Sequence, residues 1–147
     1  MIAIGRTIDY IIGNAAVYRR QLGGRTVLAF PDKYIASPLK ETLYVIGVKG
    51  VSVGPRITDA GGAVITPHKR EVSTTYFLNV YVPHEMGGDE CLKGFDRWVN
   101  FLVTTLGYDV AAVGGDGMDY YQTVGSNVFK GYFVLKRIEV ESQTPDY

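Results

Sequence analysis

The chain has 147 residues, and its 15 Lys and Arg are balanced by 15 Asp and Glu, so the formal net charge is zero. That balance excludes the simplest nucleic-acid binder, which needs a basic surplus to displace counterions from phosphates. With 46% hydrophobic and 20% charged residues it is not an acidic disordered segment either. The length fits one domain with a single sizeable core. Cys91 is the only cysteine, so no intrachain disulfide can form, which fits a reducing compartment. The opening MIAIGRTIDY has no apolar stretch behind a basic one, so no leader is expected. No apolar run approaches the roughly 20 residues needed to span a bilayer. The expectation is a soluble protein made in the cytosol.

Residues 2–22 read as an amphipathic helix. Ile4, Ile8, Ile11, Ala15, Tyr18 and Leu22 follow a 4-3-4-3-4 spacing that sets them on one face, and Gly23-Gly24 stops the helix. Residues 26–30 are a short strand ended by Pro31-Asp32. Residues 41–53 are a long strand, with Leu43, Val45, Gly47, Lys49 and Val51 on one face and Tyr44, Ile46, Val48 and Gly50 on the other. Gly47 and Gly50 suggest a bulge or a close backbone approach.

Residues 54–70, rich in Gly and Pro, do not fit a core element. They read as a long loop, with an embedded hairpin available across Asp59-Ala60-Gly61-Gly62; loops of this length are often functional. Residues 71–82 are the clearest strand: Val72, Thr74, Tyr76, Leu78, Val80 and Val82 share the core face, and Pro83 ends it.

Residues 89–106 are the second helix. Asp89 serves as its N-cap, and Leu92, Phe95, Val99, Leu102 and Leu106 form its stripe. A short strand at 109–113, a turn-rich link at 114–121 and a last strand at 127–140 follow. The tail from Glu141 to Tyr147 is expected to be loose. The order gives an α+β fold: a two-layer sandwich of a mainly antiparallel sheet with two helices on one face, leaving the other to solvent or a neighbouring subunit.

Chemistry-bearing clusters are few. His84, Glu85, Asp89, Glu90 and Cys91 lie close in sequence, and Cys91 falls in the first turn of a helix, where a thiolate is favoured. Asp89 and Glu90 oppose that charge, and the helical spacing makes Cys91 a packing residue. His68 and His84 are the only histidines, without HExxH or CxxC, so no metal set is assigned. Asp116 to Asp119 falls short of a calcium loop. No phosphate cradle and no nucleophile elbow is present, so the sequence assigns no cofactor and no catalytic residue.

Charge is distributed unevenly along the chain. Residues 1–70 hold ten cations against four acids and residues 71–147 five against eleven, or +6 and −6. Halves of this kind can form complementary faces between copies, unless folding interleaves them.

Three segments, SPLKETLYVIGVKGVSVGP (37–55), KREVSTTYFLNVYVPHEMGGDECLKGFDRWVNFL (69–102) and NVFKGYFVLKRIEV (127–140), resemble phage tail terminator (tail completion) proteins of Gram-positive phages and phage-derived tails. The likeness is one of order: a GVKGV-like strand, a second strand leaving through VYVP, a glycine turn, then an aromatic-rich helix. It implies a subunit closing into a ring, commonly of six, on the head-proximal end of the tail tube. Such a ring ends tube polymerisation and docks the head connector.

The partners implied are other copies of the chain, the tail tube protein, the head-tail connector or neck proteins, and in contractile tails the sheath. The location implied is the virion, assembled in the bacterial host's cytoplasm, with DNA passing through the ring without specific contacts and no membrane involved. No turnover is implied. Separately from the resemblance, the 54–70 loop with Arg56, Lys69 and Arg70, together with His84 and Glu85, forms the candidate assembly interface. The alternatives are another neck or tail component of a phage or tail-like bacteriocin, a soluble protein-binding adaptor, and a small enzyme using a Cys91–His84 dyad.

Overall fold

The computed structural model describes residues 4–28, 39–121 and 125–140. The first helix forms as α1 (Ile4–Val17) and a short continuation α2 (Arg19–Leu22), broken at Tyr18, whose φ of −97° and ψ of 22° leave the helical region. Gly23 then takes φ 72°, the left-handed conformation that ends a helix without a Cβ penalty. Strand β1 (Gly24–Leu28) follows directly, starting two residues earlier than the expected strand. The expected stop at Pro31-Asp32 and the tail at 141–147 lie outside the described residues.

The remaining strands are β2 (Thr42–Arg56), β3 (Lys69–Pro83), β4 (Val110–Tyr121) and β5 (Ser126–Val140). They form one five-stranded sheet in the order β1-β2-β3-β5-β4. The β1–β2 pair is parallel and every other pair is antiparallel. The α+β class read from the sequence is the observed one.

Two stretches differ from expectation, each for a physical reason. Residues 54–70 are not a free loop: β2 runs on to Arg56 and β3 starts at Lys69, so the two strands make a long hairpin arm. Pro55 is tolerated there because β1 pairs with β2 only as far as Ile46, which leaves the rest of β2 without a neighbour on that side among the described residues. The embedded hairpin is present, with a Thr58–Val64 bridge and Asp59 N donating to the Ala63 carbonyl at 2.8 Å. The expected bulge is present too, as a break in the β2–β3 register between Val48 and Gly50.

Residues 114–121, read as a turn-rich link, are the last two-thirds of β4. Gly114 and Gly115 make room for aromatic rings, whereas Gly117 takes φ 97° at the break in the β4–β5 register between Gly115 and Met118. A Cβ on Gly114 would lie 2.6 Å from the Tyr132 hydroxyl, and one on Gly115 would lie 2.8 Å from Phe129 Cε1. Both rings come from the adjacent strand β5 and cover a backbone that carries no side chain of its own.

Helix α3 (Asp89–Asn100) continues as a π-helical turn over Phe101–Thr105, closed by Leu106 N donating to the Phe101 carbonyl at 3.1 Å. Gly88, not Asp89, occupies the N-cap position, and no side chain caps this end.

Helices α1 and α3 lie on one face of the sheet. Ile8, Ile11, Ala15, Trp98, Phe101 and Leu102 meet Tyr44, Ile46, Tyr76, Leu78, Val80, Phe133 and Leu135 there. The Tyr76 and Phe133 rings stack at 5.0 Å, with Trp98 5.6 Å from Phe133. Two polar tips are satisfied inside this core. The Tyr44 hydroxyl donates to the Leu22 carbonyl at 2.6 Å, and Trp98 Nε1 donates to Thr26 Oγ1 at 3.2 Å. Each fixes a helix to the β1–β2 side of the sheet.

The other face is not bare, as the two-layer reading expected. Leu43, Val45, Tyr81 and Val128 form a second buried cluster with Leu39, near the Thr42 end of β2. Away from it, among the described residues, Lys49 and Lys130 on this face are exposed and Phe77, Asn79 and Tyr132 only partly buried.

Candidate functional site

Strands of 15 residues span about 45–50 Å, whereas the 14 residues of α1 span about 21 Å. The helices therefore reach only part of the sheet. Past the Val110–Leu135 pair, where β4 begins, β2, β3 and β5 continue as a three-stranded ribbon, and α1 still touches its first row, with Arg137 Nη1 donating to Thr7 Oγ1 at 3.1 Å. Cross-strand pairing with Tyr76, Thr74 and Val72 sets Val48, Val51 and Val53 on the helix side, where they are 40–46% exposed. Ile138 and Val140 project from the opposite side, 61% and 52% exposed. On the helix side the open aliphatic surface is thus the β2 margin alone, since Tyr76, Thr74 and Val72 in the same rows are buried, and on the opposite side it is the end of β5.

Three of the five expected interface residues meet at the outer end of this ribbon, where the 57–68 hairpin leaves it. Arg56 and Arg70 are cross-strand partners, with Lys69 beside them. Arg70 Nη1 donates to the Gly54 carbonyl at 3.1 Å. Lys136 and Arg137 from β5 join the band, against Glu71 and Glu139. Arg137 pairs with Glu139 at 2.7 Å and Lys136 with Glu71 at 3.8 Å. Five cations and two carboxylates share these rows of the ladder, so the band is basic. At the tip, the Asp59 carboxylate accepts from Gly61 N at 2.9 Å and Ala63 N at 3.0 Å, holding the turn.

His84 and Glu85 are elsewhere. They lie in a 3-10 turn, His84–Met86, directly after Pro83. The fourteen steps of β3 from Lys69 to Pro83 put them about 45 Å from the basic band. The expected interface set therefore divides into two sites at opposite ends of one strand. The His84 ring stands edge-on to Tyr120 at 5.0 Å, and its backbone N–H donates to the Gly125 carbonyl at 3.1 Å. Met86 and Leu92 are exposed nearby, at 48% and 47%.

The Cys91–His84 dyad finds no support in this geometry. Cys91 is fully buried in the main core, whereas His84 is exposed. Burial pushes the thiol from its ordinary 9.0 up to about 11, with Glu90 adding in the same direction and backbone hydrogen bonds from Val82 and Phe129 opposing. A neutral, enclosed sulfur is a packing atom.

Among the described residues no group of three or more His, Cys, Asp or Glu is placed to hold a metal ion. Among the described residues no helix is long and apolar enough to cross a membrane.

Sequence reasoning did not anticipate a basin of about 280 Å³ on the face opposite the helices, lined by Lys49, Phe77, Asn79, Asp116, Lys130 and Tyr132. The Lys49 ammonium sits 5.8 Å from the Tyr132 ring centroid. The alternation of β3 and β5 contained the signal, since Phe77, Asn79, Lys130 and Tyr132 are the residues each strand turns away from the core.

No protein-family model and no curated protein sequence matches this chain.

Proposed function

We propose that the protein is a structural assembly subunit of the tail-terminator kind. In this reading copies close into a ring, commonly of six, on the head-proximal end of a phage or phage-like tail tube. The ring ends tube polymerisation and offers a docking face to the head connector, with the sheath as a further neighbour in contractile tails.

The observation that carries this reading is the arm. It carries the β2–β3 hairpin past the end of β5, leaves aliphatic side chains open along the β2 margin on one face and at the end of β5 on the other, and sets a cationic band where the hairpin leaves the ribbon. In this reading the exposed aliphatic rows are its contact surface. The resemblance in residues 37–55, 69–102 and 127–140 supplies the class of assembly. It also agrees with a site that holds contact surfaces in place of an activated nucleophile.

The test is the size of the purified protein by light scattering, together with its retention on tail tubes. A stable ring that binds tube ends supports the reading. A monomer at every concentration that ignores tubes overturns it, and a monomer that captures a host protein replaces it with an adaptor. Deleting residues 57–66 sharpens the test. It leaves Pro67-His68 as a two-residue link between Arg56 and Lys69, the length of a tight hairpin. Ring formation should be lost while the monomer stays folded. An intact ring after the deletion removes the arm from the interface.

A further inference from the structure

The two edges of the sheet carry opposite charge. Among the described residues strand β4 is one edge and β1 the other. From Trp98 to Phe129 the sequence contains no Lys or Arg, and it includes Asp109, Asp116 and Asp119, all exposed. Residues 19–25, which comprise α2 and the start of β1, contain Arg19, Arg20 and Arg25 and no acid. A cleft of about 580 Å³ opens on this basic edge between Arg19, Arg20, Gly23, Gly24 and Glu41. Arg19 already pairs with Glu41. Arg20 is exposed, and the buried Nε of Arg25 has no hydrogen-bond partner among the described residues.

The register places the opposed charges at the same height. Following the ladder across the sheet, Arg25 is opposite Leu43, Leu43 opposite Tyr81, Tyr81 opposite Val128 and Val128 opposite Asp119. Arg25 and Asp119 are thus the two ends of one cross-strand row. The strand directions also fit. Strand β1 runs with β2, and three antiparallel pairings separate β2 from β4, so β4 runs opposite to β1. Copies standing side by side in the same orientation would present β4 to β1 as an antiparallel pair, with Asp119 level with Arg25 of the next copy.

We infer that the occupant of the β4 edge is a second copy of this chain, docked through its α2–β1 edge, and that this contact is the lateral junction of the assembly. The inference rests on the ring reading above and says which surfaces close it. A two-fold β4-to-β4 pairing would set the Asp116 and Asp119 carboxylates of both copies against each other, a like-charge contact that disfavours it. The head-to-tail contact joins unlike edges. Contacts of that type propagate, closing into a ring when the rotation allows. They also leave the arm and the His84 turn free at the two ends of the strands for other partners.

Two charge-reversed variants test the junction: Asp116→Lys with Asp119→Lys on the acidic edge, and Arg20→Glu with Arg25→Glu on the basic edge. Each alone should keep its circular dichroism and should require at least about tenfold more protein than wild type to assemble, read by light scattering. An equimolar mixture should assemble again. In an alternating order the lysine edge of one variant meets the glutamate edge of the other, and the remaining junctions are native. Because Arg25 is half-buried, Arg20→Glu alone replaces the double variant if that does not fold.

If wild type assembles and the separate variants assemble equally well, the edge assignment is overturned and the ring reading stands. Variants that are monomeric alone and remain monomeric when mixed overturn it as well. A wild type that never assembles overturns both.

Discussion

The junction between β1 and β2 makes a sharp prediction about stability. Gly24 is buried and pairs with Thr42 at the start of the parallel ladder. A Cβ placed there would penetrate the Thr42 carbonyl oxygen and lie 2.9 Å from both the Thr42 carbonyl carbon and its Cβ. The nearest obstacles are backbone, so Gly24→Ala can be accommodated only by moving β1 off β2.

Overpacking costs typically about 1–3 kcal/mol, and a displaced backbone takes it to the upper end. The expectation is therefore about 3 kcal/mol, or a fall of about 6–12 °C in Tm for a chain of this size. Gly131→Ala is the control. Its new Cβ would lie 2.8 Å from Phe95 Cζ, but Phe95 is only partly buried and its ring can swing away. That substitution should cost about 1 kcal/mol. The assay is urea unfolding followed by circular dichroism at one fixed protein concentration, comparing midpoints and slopes. If Gly24→Ala costs no more than Gly131→Ala, the β1–β2 contact is looser than described and the reasoning fails.

Other outcomes follow from the core and its titrating groups. Trp98→Ala should destabilise by about 3–5 kcal/mol, since it empties the contact with Phe101 and Phe133. Trp98→Phe should cost less, because only the bond to Thr26 and part of the volume are lost; equal losses would contradict the packing described. Cys91 should resist thiol reagents in the native state at pH 8 and react once denaturant is added; fast native labelling would show that the sulfur is reachable. Its pKa is raised on folding, so its contribution is full below about pH 9 and is lost as pH climbs toward 11, about 2–3 kcal/mol in all. Burial raises Tyr44, Tyr76 and Tyr108 as well, so the contribution is read as the difference in alkaline stability between wild type and Cys91→Ser. An identical pH dependence in the two proteins would refute it. Amide hydrogens beyond Val48 on β2 should exchange faster in the free subunit than those of Tyr44 and Ile46, which lie under the helices and beside β1; uniform protection along β2 would contradict the exposed β2 margin.

The legible parts of the sequence were those where one physical force acts alone. Strand β3 alternates because it has a helix-covered face and a mixed one, so Val72 to Val82 announce it. The stripe from Leu92 to Leu106 announces α3, although period alone does not show that its last turn is π-helical. The reading failed where residue type served a neighbour instead of the local backbone. Gly114 and Gly115 look like a turn until Tyr132 and Phe129 are seen lying over them. Pro55 looks like a strand breaker until β2 is seen to have lost β1 as a neighbour by that point. The interface set was half legible. Arg56, Lys69 and Arg70 flank a common loop and so meet, while their distance from His84 depended on the length of β3. The neutral charge was readable only as a sum along the chain. Its spatial form, acidic on one sheet edge and basic on the other, required the strand order.

Strand β3 has a mechanical consequence. It is paired along nearly its whole length to β5 on one side and to β2 on the other. A strand clamped by two ladders can neither stretch nor slide without breaking both. The separation between the cationic band and the His84 turn is therefore a built-in length of the subunit, about 45 Å. Two bodies gripping those ends would be held at that spacing whatever their own flexibility, and in a ring every copy would impose the same gauge, making the sheet a spacer as well as a surface.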